Sequence, residues 1–448
     1  MSTFELMQPI EVSVHTETGK YNTMLSNIHM DIGGSRNREQ QDSGWIYQDD
    51  NVKICVIADG HGSVYGRVAS LACIKACEAF FSPENIQRVL DEPYKTLTEV
   101  FVYAHEKVKQ DIIAANAKSG GTFEEAGDEV YIKEANRISI VDGGSTLTIT
   151  VFTDEYIYTA NVADSKTLLM TNDRSINPSA ITILGDSAKD CGYNKYGEKN
   201  HFSKEFPEQI AEPLSQTDKN VNALELTASH SPTDWKEFER LRDFRVLDPV
   251  TAPALPFANL QYPDSRNDRM IDIYTEKEGV ITKCEDGYYY KNVSHEFASL
   301  FGSPESIRTL AMTRSIGDFY GISAGLSHRP EVRRFDLKKV FETKRILRES
   351  TLKVEEKSAA VEEKPEDKYI AVVMGSDGIW DNWTDEDTHQ FIFYPNCIDA
   401  VVTKGKEGVN SVAKSFSDRN TLYGNRNFKN NADNATCIVA MIQQSYTI

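Results

Sequence analysis

The stretch VKICVIADGHG, at 52–62, constrains this chain more than any other. Most of its first seven residues are aliphatic, and most of those are β-branched. Side chains of that shape suit a pleated, packed surface. An apolar run this short, closed by a glycine-rich turn, reads as a buried strand. At its end stand a carboxylate, a glycine, an imidazole and a second glycine. Gly60 lets the backbone pass close to another group, so its own carbonyl can serve as an oxygen ligand. Asp59 is a hard anionic ligand suited to Mg²⁺ or Mn²⁺. His61 can give or take a proton near neutral pH. An Asp-Gly turn that merely ends a strand explains the same letters, so the choice falls to the rest of the chain.

The remaining sequence narrows the class. With 448 residues, 40% hydrophobic and 26% charged, it suits one large globular domain or two ordinary ones. The net charge of −19 repels nucleic acid and anionic membrane, and there is no strong basic patch to offset it. Neither is therefore expected as a partner. The seven cysteines (Cys55, Cys73, Cys77, Cys191, Cys284, Cys397, Cys437) are scattered and odd in number. Cys73 and Cys77 have helical spacing within an apolar stretch and read as buried thiols, which suggests a reducing compartment. The opening MSTFELMQPIEVSVHTETGK has no basic region followed by an apolar core, and no run of 18 apolar residues exists. A cytoplasmic or nuclear monomer is the expectation.

Along the chain, Ile10–Val14 reads as an edge strand, and 28–45 as strand, turn, strand. Apolar residues at helical spacing predict a helix over 64–81. A second long helix is predicted over 86–118, broken near Pro93. The segments 145–152, 156–162 and 167–170 read as successive strands of a β-meander. The stretch 172–225 reads as polar and irregular. Helices are predicted over 231–241, with Pro232 in the first turn, and over 306–314. The charge-rich 337–368, containing KVEEKSAAVEEKPEDK, reads as a mobile, solvated insertion. The segments 369–374 and 436–442 read as buried strands.

These strands share a feature. Asp59, Asp164 and Asp377 each follow an apolar β-run, and Asp433 precedes one. If the strands lie in packed antiparallel sheets, the four ends can meet at one rim. Carboxylates gathered there would raise one another's pKa unless cations sat between them. Two divalent ions about 4 Å apart would satisfy the cluster and activate a water for attack on phosphorus. Any one of these aspartates alone reads more simply as a turn residue or cap. Trp380 and Trp383 read as packing residues, Ser145 and Thr146 as hydrogen bonders at a strand start. Arg314 and Asp318 divide evenly between a structural ion pair and a substrate contact.

The ordered motifs resemble the metal-dependent Ser/Thr protein phosphatases of type 2C, the PPM family. They are EQQD at 39–42, ADGHG at 58–62, GST at 144–146, ANVADS at 160–165, and LAMTRSIGD at 310–318 with RPEV at 329–332. SDGIWD at 376–381 with Asp433-Asn434 completes the set, and LTASHSP at 226–232 is similar to the family's stretch before its variable flap. The resemblance runs from about Asn27 to Ile442. It implies an α+β fold: a β-sandwich of two antiparallel sheets flanked by helical pairs. Residues 27–443 would form one phosphatase domain with insertions at about 172–225, 245–305 and 337–368, and 1–26 an N-terminal extension or edge strand.

The resemblance also implies roles. Asp59 would bridge two Mg²⁺ or Mn²⁺ ions, Gly60 would offer its carbonyl to one, and Asp377 and Asp433 would complete the other. Asp164 and Asp381 match positions linked to a third, weaker metal. His61 matches the general acid, and Asp42 would support the ligands from behind. Gln41 stands where many members have Glu, so the second metal would be held more through water. The family's phosphate-binding basic residue falls at Asn37 here, flanked by Arg36 and Arg38, either of which can take the role. Lys166 stands where the family often has Arg, and Ala163 where it often has Gly. The expected activity is hydrolysis of phosphoserine and phosphothreonine in phosphoprotein substrates. The alternative is a pseudophosphatase, a binding or regulatory protein on the same fold.

Overall fold

The computed structural model describes residues 21–34, 39–117, 121–126, 129–134, 137–190, 212–213, 219–247, 257–261, 269–272, 274–277, 280–283, 295–301, 308–340 and 369–444. Its centre is two antiparallel sheets. In the first, the strand order is Tyr21–Leu25, Ala435–Gln444, Tyr369–Gly375, Lys166–Thr171, Ala223–Glu225, and His29–Asp31 also pairs with Ala435–Gln444. In the second it is Glu212–Pro213, Ile181–Asp186, Glu331–Asp336, Tyr156–Val162, Leu147–Phe152, Lys53–Ala58, Ser43–Gln48.

Lys53–Ala58 shows why its sequence is apolar throughout. Side chains of a strand alternate between faces. Cys55 and Ile57 join the core that contains the first sheet, whereas Ile54, Val56 and Ala58 join a second core under helices. Both faces are covered, so no position is left for water. Gly66–Phe80 and Pro93–Ala117 supply that second cover. The expected break in the second helix is real: Pro83–Asp91, capped by Ser82, ends before Pro93 starts the next. Asp385–Ile392, Pro395–Lys404 and Lys406–Asn427 cover the outer face of the first sheet through Ile392, Val401, Val412 and Phe416. Fully burying one such aliphatic side chain is worth about 1.5–3 kcal/mol. The architecture is α+β, as expected.

Several expectations are corrected. The three strands after Gly144 are not a meander. Leu147–Phe152 and Tyr156–Val162 form a hairpin, but Lys166–Thr171 pairs with Tyr369–Gly375 in the other sheet. The chain crosses the sandwich at 163–165, where Ala163 adopts φ 74° and Asn161 Nδ2 bonds its carbonyl at 3.2 Å. The stretch 172–225 is not wholly irregular, since Ile181–Asp186 and Ala223–Glu225 each extend a sheet. The helix expected from 231 begins at Trp235 and runs to Leu247. Pro232 lies outside it, and Asp234 Oδ1 accepts the N–H groups of Lys236 and Glu237 as the cap. The helix expected over 306–314 is instead the strand Arg308–Leu310, paired with His295–Phe301 in a separate four-stranded sheet, followed by bends. Cross-strand pairing there overrides a short local pattern. The described start of the charge-rich segment is not a solvated insertion, because Leu337 and Val340 are buried. Ile10–Val14, 341–368, Cys191 and Cys284 lie outside the described residues. Cys55, Cys73, Cys77 and Cys437 are buried free thiols, and Trp383 packs among Phe391, Phe416 and Tyr423.

Candidate active site

The site is assembled from strand ends. Where Lys53–Ala58 stops, Asp59 is gripped through its backbone. Its N–H donates to Thr146 Oγ1 at 3.0 Å, and its carbonyl accepts from Ser145 Oγ at 3.0 Å and Thr146 N–H at 2.8 Å. Ser145 and Thr146 are thus hydrogen bonders, as their positions predicted. Gly60–His61 then pairs with Gly144–Ser145. Gly60 must lack a side chain, because a Cβ there would lie 2.2 Å from the Gly66 carbonyl oxygen at the start of the first helix.

The other carboxylates come from the first sheet. Asp377 follows Tyr369–Gly375, and Asp433 precedes Ala435–Gln444. Ser376 Oγ accepts from Thr436 N–H at 2.9 Å and donates to buried Asp42 Oδ2 at 2.8 Å. Asn434 Oδ1 accepts the Gln41 N–H at 2.8 Å, and Gln41 Nε2 donates to the Gly62 carbonyl at 3.0 Å. The two sheets are therefore stitched together through EQQD. A cleft of about 400 Å³ opens over this seam, lined by Gln41, Asp59, Gly60, His61, Gly62, Ser63, Met312, Asp377 and Asp433.

Of the residues singled out in the sequence, Asp59, Gly60, His61, Gln41, Asp377 and Asp433 thus share one cleft. Asp42 lies behind it, wholly buried. Asp164 lies within the crossing at 163–165, and Asp381 donates its N–H to the Asp377 carbonyl at 2.7 Å; neither lines the cleft. Arg36 and Arg38 lie outside the described residues. Lys166 pairs with Asp385 and lies 4.7 Å over the Trp380 ring.

Electrostatics mark the cleft. Burial and then repulsion from Asp42, Asp377 and Asp433 lift the pKa of Asp59 well above the usual carboxylate range. Asp42 is raised as well, by burial first. At His61, burial works to lower the pKa, but the charge and hydrogen bond of Asp318, with smaller help from the charges of Asp164 and Asp142, leave it raised. Among the described residues, no group of three or more His, Cys, Asp or Glu side chains converges closely enough to hold a metal ion as it stands. The donor set nonetheless suits a hard divalent cation: three carboxylates and a carbonyl on one cleft, with mutual repulsion that a cation would relieve.

Residue-by-residue reading missed the partner of His61. Its Nε2 lies 2.5 Å from Asp318 Oδ2. Arg314 does not share that site. It is buried in a bidentate pair with Asp186, at 2.8 and 3.0 Å, and bonds Glu237 as well. Met312 and Ser63 were also missed, because nothing in an isolated Met or Ser marks it as lining a cleft.

Residues 34–182 match a family model described as protein phosphatase 2C, and residues 291–395 match a second model of the same description. Together they span more than half of the chain, which belongs to the protein phosphatase 2C family. No curated protein matches the chain. Among solved structures it is similar to a serine-threonine phosphatase 2C from Toxoplasma gondii, with 12% identity, coverage of 97% of this chain and 98% of that one, and a TM-score of 0.43. It is also similar to the Mycobacterium tuberculosis serine/threonine phosphatase PstP, at 14% identity, 95% and 100% coverage and a TM-score of 0.38. A further structure, the catalytic domain of PstP in complex with two manganese ions, shares 13% identity over 94% of this chain and 100% of that one, with a TM-score of 0.39.

Proposed function

We propose that this chain is a metal-dependent protein serine/threonine phosphatase that hydrolyses phosphoserine and phosphothreonine esters by in-line attack of water. One observation supports this above the others: carboxylates from three strand ends in two sheets line a single cleft beside the Gly60 backbone and the His61 ring. Asp59, Gly60, Asp377 and Asp433 would hold two Mg²⁺ or Mn²⁺ ions, with Asp164 and Asp381 serving a third. When bound, such ions neutralise phosphate charge and make water nucleophilic near neutral pH.

The chain's own residues do the rest. Ser376, Asn434 and Gln41 hold the two sheets in register, so Asp59 faces Asp377 and Asp433 across the cleft. Arg36 or Arg38 binds the substrate phosphate. His61 gives a proton to the departing alkoxide of serine or threonine, a poor leaving group that needs one. General acid catalysis of this kind is worth about 10²–10⁴-fold. The partners are phosphoproteins, not nucleic acid or membrane, and the protein acts as a cytoplasmic or nuclear monomer. Phosphate release from a phosphothreonine peptide, with Mn²⁺ or Mg²⁺ and then with EDTA, tests the reading. Turnover that requires the metal is expected. No turnover with either metal would favour the pseudophosphatase, and full turnover after metal stripping would overturn the dinuclear site.

A further inference from the structure

His61 and Asp318 are brought together across a three-stranded sheet. Gly144–Ser145 is its middle strand, with Gly60–His61 on one side and Ile316–Gly317 on the other; His61 and Gly317 both stand opposite Gly144. A side chain at Gly144 would close the gap between them. Its Cβ would lie 2.2 Å from Asp318 Oδ2 and 2.6 Å from Ser315 Oγ. Glycine leaves the gap open, and Asp318 Oδ2 reaches through it to His61 Nε2.

Oδ2 of the carboxylate carries both of its side-chain bonds, whereas Oδ1 is buried with no hydrogen-bond partner among the described residues. Ser315 Oγ donates to Asp318 Oδ2 at 2.7 Å. The Asp318 N–H donates to the Gly143 carbonyl at 3.2 Å, and the preceding Gly317 N–H donates to His105 Nδ1 on the long Pro93–Ala117 helix at 3.1 Å. Asp318 itself has φ 42°, a left-handed conformation that Asp and Asn tolerate better than most residues. It is wholly buried, where a carboxylate persists only with partners. These constraints converge on aiming one oxygen at one ring nitrogen.

We propose that Asp318, reaching through the gap at Gly144 and braced by Ser315, is a positioning residue that fixes the orientation of the His61 ring. The proposal deepens the phosphatase reading and rests on it.

Asp318→Asn tests this with little change of shape. For a phosphothreonine peptide kcat should fall about 10²-fold with KM unchanged, while p-nitrophenyl phosphate, whose leaving group needs no proton, stays within about threefold. Gly144→Ala should give the same selective loss with Asp318 still present, because the new methyl displaces the carboxylate. A readout free of activity accompanies both. In protein with ¹⁵N-labelled histidine, the His61 Nε2–H proton should resonate far downfield in the wild type, and that signal should vanish in Asp318→Asn and in His61→Gln. Equal losses for the two substrates, no loss for either, or absence of the signal in active wild type would overturn the proposal. A wild type that turns over neither substrate but shows the signal would sink the phosphatase reading and leave the His61–Asp318 contact standing.

Discussion

At the scale of single residues, charge carries the meaning. Asp59 is held among like charges, so neutralising it relieves the folded protein while removing a candidate ligand. Asp59→Asn is expected to slow phosphopeptide hydrolysis by at least about a hundredfold, roughly 2.7 kcal/mol of barrier. The melting temperature of the metal-free protein should hold or rise. Wild-type turnover in the variant would place the ligand elsewhere. His230 shows the opposite sign. Its ring is buried, and burial first, then the charge of Arg314, holds its pKa well below the ordinary value. The folded protein keeps it neutral, whereas the unfolded chain takes up a proton below about pH 6.5. Stability is therefore lost as pH falls through that value, by up to about 1.4 kcal/mol per pH unit. His29, His105 and His328 are lowered too, so wild type sums several such losses. Thermal melts from pH 7.5 to 5 should fall less steeply in His230→Asn; parallel curves would show that His230 takes up its proton in the folded state. The aspartates of the cleft were legible because each sits beside an apolar run. Asp318 was singled out but its partner was not, since that partner lies 257 residues away and nothing local records the gap at Gly144.

Among elements, the sequence is most readable where local and global demands agree. The break at Pro93 follows from chemistry within a few residues. Lys53–Ala58 is apolar throughout because both its faces are covered. The crossing at 163–165 was hidden because a hairpin and a change of sheet leave the same alternation; only the positive φ of Ala163 separates them. The strand at Arg308–Leu310 was read as a helix because three residues carry no period, and its partner is in an adjoining sheet. The buried start of the charge-rich segment yields a paired test. Leu337→Ala should cost about 2–5 kcal/mol in denaturant melts, because the side chain is wholly buried in the first core. Replacing 341–368 by a short Gly-Ser linker should leave hydrolysis of a small aryl phosphate within about threefold, since closing a longer or shorter loop costs little. Loss of folding in the linker variant would show that those residues contribute to the core.

Across the whole molecule, the cleft lies where two sheets meet. Asp59 belongs to one sheet, while Asp377 and Asp433 belong to the other. A cation held by all three would pull the sheets together, so its binding energy would become folding energy. Mn²⁺ at a hundred times its dissociation constant should add about 2.7 kcal/mol and raise the melting temperature. EDTA should reverse the rise, and Asp59→Asn should blunt it. An equal rise in that variant would show that Mn²⁺ binds elsewhere.

The pairing of Tyr21–Leu25 with Ala435–Gln444 has a consequence for how the protein is made. During synthesis the first strand emerges with nothing to pair against, and its partner is translated some four hundred residues later. The rim that carries Asp433 arrives with that same late partner. Until then the growing chain presents an unpaired edge, the kind of surface that sticks to other chains and calls for a chaperone. A ribosome stalled short of Asp433 would hold a chain with no complete cleft. The cleft would then be completed not in proportion to length but in one step, when Ala435–Gln444 slides between Tyr21–Leu25 and Tyr369–Gly375.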